Sequence, residues 1–254
     1  MRWILPSTST SRCRLALTCL FLLMAPGLSQ VTAAGQVEAG LFSSASLDSS
    51  LPDDWQPLSF SQIDRQTDYS LVKEQGVIVI KAVSDQSASG LTRALSIDPA
   101  VYPVIRWRWK VNNVLERGDV TRKDGDDYPA RIYISFAFDA ERAGYLERLE
   151  YAAARLVFGP DVPYRAISYI WGSNSPVGTV IENPYTDRVM MFVVESGSDK
   201  LQQWQSESRN VYADYLAAFG EQPGMISGVA IMTDTDNTRE SAIAWYGDVI
   251  FSQK

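Results

Sequence analysis

The chain has 254 residues, with 23 Lys and Arg against 30 Asp and Glu, two Cys, no His and a formal net charge of −7. Without histidine there is no imidazole base, no Ser-His-Asp triad and no His-ligated metal, which excludes many hydrolases and zinc enzymes. The acidic balance argues against nucleic acid as a partner, because such binding needs clustered positive charge. A hydrophobic content of 46% is typical of a globular protein with a sizeable core.

The N-terminal segment has the three parts of a secretory signal peptide. A basic stretch is followed by an apolar run at 15–24 and by small residues at 32–34. Because this run is shorter than the roughly 20 residues that a spanning helix needs, a signal peptide at 1–34 is favoured over a membrane anchor. We therefore expect a periplasmic or secreted protein with no transmembrane span after cleavage. The basic residues of the segment are Arg2, Arg12 and Arg14.

Removal of this segment also takes away both cysteines, Cys13 and Cys19. The mature protein then has no disulfide, no thiolate metal site and no cysteine nucleophile. Residues 35–52 are rich in Ser, Asp and Gly and are expected to form an extended lead-in. Residues 53–254 are expected to form a single domain, because no repeat or linker divides them.

Alternation of apolar and polar residues predicts strands along much of the mature chain. Helical spacing of apolar residues predicts helices at 140–158 and 206–219, each followed by a glycine stop. Many strands and few helices predict an all-β, mostly antiparallel fold, specifically a jelly-roll-like β-sandwich with two added helices. The predicted strands lie at 77–80, 104–111, 131–138, 188–194, 229–232 and 244–251.

The strand at 104–111 has two chemically different faces. Trp107 and Trp109 share one face, whereas Arg108 and Lys110 share the other, because side chains two residues apart point the same way. Either the indoles belong to the core and the bases are solvated, or one of these faces binds a ligand.

A neighbouring strand would widen such a ligand-binding face. Arg131 and Tyr133 alternate with apolar residues in the strand at 131–138. If the two strands are neighbours, Arg131 and Tyr133 join Arg108 and Lys110 in one cationic, aromatic-edged surface. That surface would suit a glycan or another polar or anionic small molecule, and it contrasts with the acidic charge of the whole chain.

Two acidic loop clusters are candidates for the rim of this surface. Asp126 and Asp127 lie in the first, and Asp234, Asp236 and Asn237 lie in the second. Closely spaced oxygen ligands suit Ca²⁺, but Asp and Asn are equally common in tight turns, and both interpretations stay open.

Three further residues have more than one interpretation. Asp248 lies in a mostly apolar strand and needs a partner, for which calcium or an arginine would serve. Trp171 is either a core residue or a rim aromatic, and Arg209 either pairs with an acid or reaches a ligand. Apart from a structural calcium at Asp248, no cofactor is expected.

Nine short segments, taken in chain order, carry a family resemblance: Trp107–Lys110, Gly125–Asp127, Arg131–Tyr133, Tyr169–Trp171, Glu207–Val211, Asp214–Tyr215, Phe219–Gly220, Gly228–Thr238 and Ala244–Asp248. Together they resemble a bacterial secreted family known as domain of unknown function 3047. The resemblance covers roughly residues 53–252 and implies secretion, but the family has no established activity to carry over. The closing segment Tyr246–Phe251 is also similar to the last strand of galactose-binding-like jelly rolls, in which a nearby acid often helps to hold calcium.

The favoured function is a non-catalytic binding module for a glycan or another polar small molecule. One alternative is a polysaccharide hydrolase or lyase that works through carboxylates, because glycoside cleavage needs two carboxyl groups and no histidine. Another is an envelope assembly protein that binds a protein partner.

Overall fold

The computed structural model describes residues 31–32, 35–141, 144–145, 148, 151–152 and 164–254. In this part of the chain, Val211–Phe219 form the α-helix α1, and short 3₁₀ turns lie at Phe42–Ser44 and Lys123–Gly125. Its strands are β1 (Val31–Thr32), β2 (Gln36–Gly40), β3 (Gln56–Leu58), β4 (Asp68–Glu74), β5 (Val77–Asp85), β6 (Ala88–Ile97), β7 (Val104–Val111), β8 (Arg131–Phe136), β9 (Arg165–Gly172), β10 (Val180–Asn183), β11 (Thr186–Ser196), β12 (Gln205–Asn210), β13 (Ile226–Asp234), β14 (Ser241–Tyr246) and β15 (Val249–Ser252).

The strands form two mostly antiparallel sheets, as predicted. In sheet A, β7 pairs with β12 along one edge and with β14 and then β15 along the other. From there β14 continues to β5 and β4, whereas β15 continues to β2 and β1. Sheet B has the order β10-β11-β9-β8-β13-β6-β3, and its β9–β11 pair is parallel. The jelly-roll arrangement in particular stays a prediction.

Aromatic side chains join the inner faces of the two sheets. The Trp107 ring of β7 stacks on Tyr169 of β9 at 5.1 Å between ring centroids, and Trp109 lies 6.1 Å from Trp171. All four side chains are buried in one continuous core. Trp107 and Trp109 are therefore core residues, and the residues between and beside them on β7 point away from the core.

The predicted second helix begins later than its sequence pattern indicates. Its expected first residues, up to Asn210, form β12 instead and pair with β7. The helix begins at Val211, where the Asn210 side chain accepts a bond from the Ala213 N–H at 2.9 Å, and it stops at Gly220 in the left-handed conformation, as expected. The predicted helix at 140–158 lies largely outside the described residues.

The predicted strand at 244–251 is two strands separated by Gly247 and Asp248. Asp248 therefore lies between strands rather than inside one. Its carboxylate accepts bonds from the Ser43 N–H at 2.8 Å and from the Ser43 hydroxyl at 2.6 Å. These bonds fasten the lead-in, whose β2 pairs with β15 and whose Phe42 is fully buried in the core.

We expect Asp248→Ala to destabilise the protein by about 1–3 kcal/mol, because it removes two bonds to an ionised acceptor. Thermal unfolding and amide exchange at residues 36–44 would measure this effect. Asp48→Ala, which changes an exposed acid of the same segment, serves as the control and should leave both readouts unchanged. Equal effects of the two variants would contradict an anchoring role for Asp248.

Candidate functional site

The predicted ligand surface is divided between the outer faces of the two sheets. Arg108 and Lys110 alternate with core indoles and so lie on the outer face of sheet A. Arg131 and Tyr133 alternate with core residues of β8 and lie on the outer face of sheet B. The four side chains do not converge, because β7 and β8 belong to different sheets and the core lies between them.

Arg108 is held flat against sheet A by an aromatic ring and a glycine. Its guanidinium carbon lies 4.6 Å from the centre of the Trp204 ring. A Cβ atom on Gly247 would lie 2.5 Å from Arg108 Cγ, so the arginine occupies the space that a larger residue would fill. The Arg108 side chain is partly exposed, and no described carboxylate forms an ion pair with it.

Lys110 lies beside Arg108 on the same face but is mostly buried, with 7% of its surface exposed. Its ammonium lies 4.2 Å from the Trp245 ring and 5.5 Å from the Trp204 ring, and it pairs with Glu74. Strand register places Trp245 between Lys110 and Lys81. The outer face of sheet A thus presents alternating cations and partly exposed indoles. We call Arg106, Arg108, Lys110, Lys81, Trp204 and Trp245 the cationic aromatic face.

Sheet B carries a buried arginine–carboxylate cluster on its outer face. Arg131 is 4% exposed, pairs with Asp234, and has its Nη1 4.0 Å from Oδ2 of Asp126. Its guanidinium lies 5.1 Å from the Tyr128 ring and 5.2 Å from the Tyr133 ring. Burial raises the pKa of the Tyr133 hydroxyl to about 12, with Arg131 opposing the shift.

The acids predicted at a rim are instead mostly buried in this cluster. Asp126 accepts bonds from the Tyr128 hydroxyl at 3.0 Å and from the Asn183 amide at 2.9 Å. Asp127 accepts from the Asn237 amide at 3.0 Å and from the Thr238 N–H at 2.6 Å. These bonds are tertiary contacts that join the loop of Asp127 to the loop after β13, more than a hundred residues further along the chain.

Desolvation is the main electrostatic cost of the cluster. Burial raises the pKa of Asp126, Asp234 and Asp236, and Arg131 opposes that rise. Carboxylate oxygens of Asp127, Asp234 and Asp236 lie within 4.8 Å of one another, which is the only such acidic group found among the described residues. Oxygen ligands of this kind suit a hard cation, and the expected calcium stays a prediction. Asp248 is not part of this group.

The remaining predicted residues have structural contacts. Trp171 is fully buried and donates its indole N–H to the Gly197 carbonyl, so it is a core residue rather than a rim aromatic. Arg209 forms two bonds to Asp214, at 2.9 and 2.6 Å, and Asp214 also accepts from the Tyr169 hydroxyl. Arg209 is therefore paired with an acid, and its contact with a ligand stays a prediction.

Sequence reasoning missed an acidic pair where β12 and β11 approach each other. Glu207 lies on β12, not in the first turn of a helix, and its Oε1 has no hydrogen-bond partner among the described residues. The Trp109 indole N–H is close but outside hydrogen-bonding geometry. Burial, followed by the charge of Glu195, raises the pKa of Glu207 to about 7, although Lys200 beside Glu195 lowers it.

We expect stability to fall as the pH rises from about 4.5 to about 7, because the folded state holds the Glu207 proton more tightly than the unfolded chain. Glu207→Gln stays neutral and should be the more stable form at pH 8, by about 1 kcal/mol once solvent screening is allowed for. Chemical denaturation from pH 4 to pH 8 measures this difference. A wild-type advantage at pH 8 would contradict the raised pKa.

The fold and sites define a class: a two-sheet, mostly antiparallel β-protein with a cationic aromatic face and a buried arginine–carboxylate cluster. Residues 53–250 match the family described as "Protein of unknown function (DUF3047)", and the chain belongs to that family. This match confirms the resemblance found in the sequence. A search of the curated proteins found no match.

Among solved structures, the glycoside hydrolase domain of Endo-D from Streptococcus pneumoniae R6 is similar at 9% identity and a TM-score of 0.35. The similarity covers 79% of this chain and 21% of that one, so the chain spans about a fifth of the matched protein. In the described part of the chain, no helix is both long and apolar enough to cross a bilayer.

Proposed function

We propose that the protein is a non-catalytic binding module for an acidic glycan, which it binds through the cationic aromatic face. The observation that carries this proposal is Arg108, a partly exposed guanidinium without an acidic partner in the described chain, held in place by Trp204 and Gly247. An immobilised guanidinium loses little entropy when it binds an anion, and its planar N–H groups match a carboxylate.

The surroundings of Arg108 favour a chain of sugar rings over an isolated anion. Arg106, Arg108 and Lys110 occupy alternate positions on β7, which places their attachment points about 6.8 Å apart in an extended strand. Lys110 is the member that has an acidic partner, Glu74. Partly exposed indoles beside the cations provide apolar surface for sugar rings. The cations of this face attract an anion locally, although the whole chain carries a net negative charge.

The proposal includes the expectations drawn from the N-terminal segment. A signal peptide would bring the module to the periplasm or the exterior, where acidic polysaccharides are accessible. A single jelly-roll-like domain would provide the rigid sheet on which the cations are placed.

The alternative function, a carboxylate-based polysaccharide hydrolase or lyase, is favoured by one observation. Glu207 holds its proton up to a pH of about 7 next to the carboxylate of Glu195. A protonated acid close to a second carboxylate is the pairing that glycosidases use. Assay of the bound glycans for cleavage products therefore separates binding from catalysis.

We expect wild-type protein to bind polygalacturonate or alginate, with affinity that falls as salt is raised. Arg108→Ala should weaken binding about 10- to 100-fold, because one charge-assisted contact is worth about 1.5–3 kcal/mol. Gly247→Ala should cause a similar loss while keeping every charge, because the added methyl displaces Arg108. Titration calorimetry and melting temperature measure affinity and folding separately.

The matched control is Arg65→Ala, which removes an exposed arginine that is paired with Asp85. It should leave affinity unchanged. Equal losses in Arg65→Ala and Arg108→Ala would indicate nonspecific charge attraction and would overturn the proposed face. Failure of wild-type protein to bind either polyuronate would overturn the proposed function.

A further inference from the structure

Sheet B carries buried polar atoms that have no hydrogen-bond partner in the described part of the chain. They are Nε and Nη1 of Arg131 and the hydroxyl of Ser168. Both residues are more than nine-tenths buried. A buried polar group without a hydrogen bond destabilises the folded state, so three such atoms on one face indicate that another group completes them.

These atoms lie around Tyr133. Ser168 is the register partner of Tyr133 on the neighbouring strand, and their hydroxyls are close without hydrogen-bonding geometry. The Arg131 guanidinium lies over the Tyr133 ring. Tyr133 is partly exposed, whereas Arg131 and Ser168 are not, so Tyr133 connects the buried atoms with the surface. Asp126 adds an acceptor 4.0 Å from Arg131 Nη1, a separation too long for a direct hydrogen bond.

We propose that this group, the Arg131–Ser168 site, binds a hydroxyl-bearing neutral ligand such as a monosaccharide or another polyol. A hydroxyl both donates and accepts, so one such group can accept from Arg131 and donate to Asp126 across their gap. Hydroxyls of the same ligand would pair with Ser168 and Tyr133.

Charge sets the ligand class. The Arg131 guanidinium pairs with Asp234 and lies 4.0 Å from Asp126, and the carboxylates of Asp127 and Asp236 lie within 4.8 Å of that of Asp234. An anionic ligand would be repelled by these carboxylates, because charges in a buried site are only weakly screened. The site therefore differs from the cationic aromatic face both in its position and in the charge of the ligand it accepts.

Ser168→Ala is the variant that tests the site, because Arg131→Ala would leave Asp234 without its buried partner and could prevent folding. Removing an unpartnered hydroxyl should leave the melting temperature of the free protein unchanged or slightly raised. Tyr133→Phe is the second variant. The control is Ser135→Ala. Ser135 lies on the same outer face of sheet B, and its hydroxyl already accepts a hydrogen bond from Ser227 at 3.2 Å.

The probes are glucose, galactose, mannose and myo-inositol, with glucuronate as the charged comparison, at millimolar concentrations. We expect at least one neutral probe to bind wild-type protein in saturation-transfer NMR and to raise its melting temperature. Ser168→Ala and Tyr133→Phe should each weaken that binding at least fivefold, while Ser135→Ala and Arg108→Ala should not change it.

Three results would overturn the proposal: no neutral probe binds, Ser168→Ala binds as tightly as wild type, or glucuronate binds this site as tightly as glucose. The first result would mean that water alone completes Arg131. Polyuronate binding is measured on the same variants, and Ser168→Ala should keep it. Failure of the Arg131–Ser168 site and failure of the cationic aromatic face are therefore distinguishable.

Discussion

Contact between aromatic rings across the two sheets is the interaction on which the other features depend. Trp107 and Trp109 pack on Tyr169 and Trp171, and these contacts fix the inward face of both central strands. Because side chains alternate along a strand, the same contacts force the cations of β7 to point away from the core. The cationic aromatic face is thus a consequence of where the indoles are buried, not of attraction among the cations themselves.

The two outer faces show different ways of accommodating an arginine. Arg108 remains partly hydrated, stacks on an indole and needs no acid, so its charge is available to a partner. Arg131 is removed from water, and the nearby carboxylates offset the cost of burying its charge. The compensation is incomplete, because the carboxylates outnumber the guanidinium and raise one another's pKa. Arg131 therefore offsets only part of the cost of burying these carboxyl groups.

The sequence predicted the faces of individual strands better than it predicted their neighbours. The alternation of apolar and polar residues predicted the observed bounds of β7 and placed Arg108 and Trp107 on opposite faces of the strand. This succeeded because the two-residue period depends only on neighbouring residues in the chain. The same period contains no information about which strands pair, so Arg108 and Arg131 were expected on one surface although their strands lie in different sheets. Polar Gln205–Asn210 resembled the start of a helix, and pairing with β7 overrode that local preference. The space that Gly247 leaves for Arg108 arises only from tertiary contact.

The pairing of β2 with β15 has a consequence for any shortened form of this protein. The matched family region begins at residue 53, after β2, whereas β15 reaches Ser252. A fragment that starts there would leave the backbone groups along the outer side of β15 unpaired, and an open strand edge is a template for strands of other molecules. The lead-in thus covers the outer side of β15, and the paired sheet extends upstream of the matched family region.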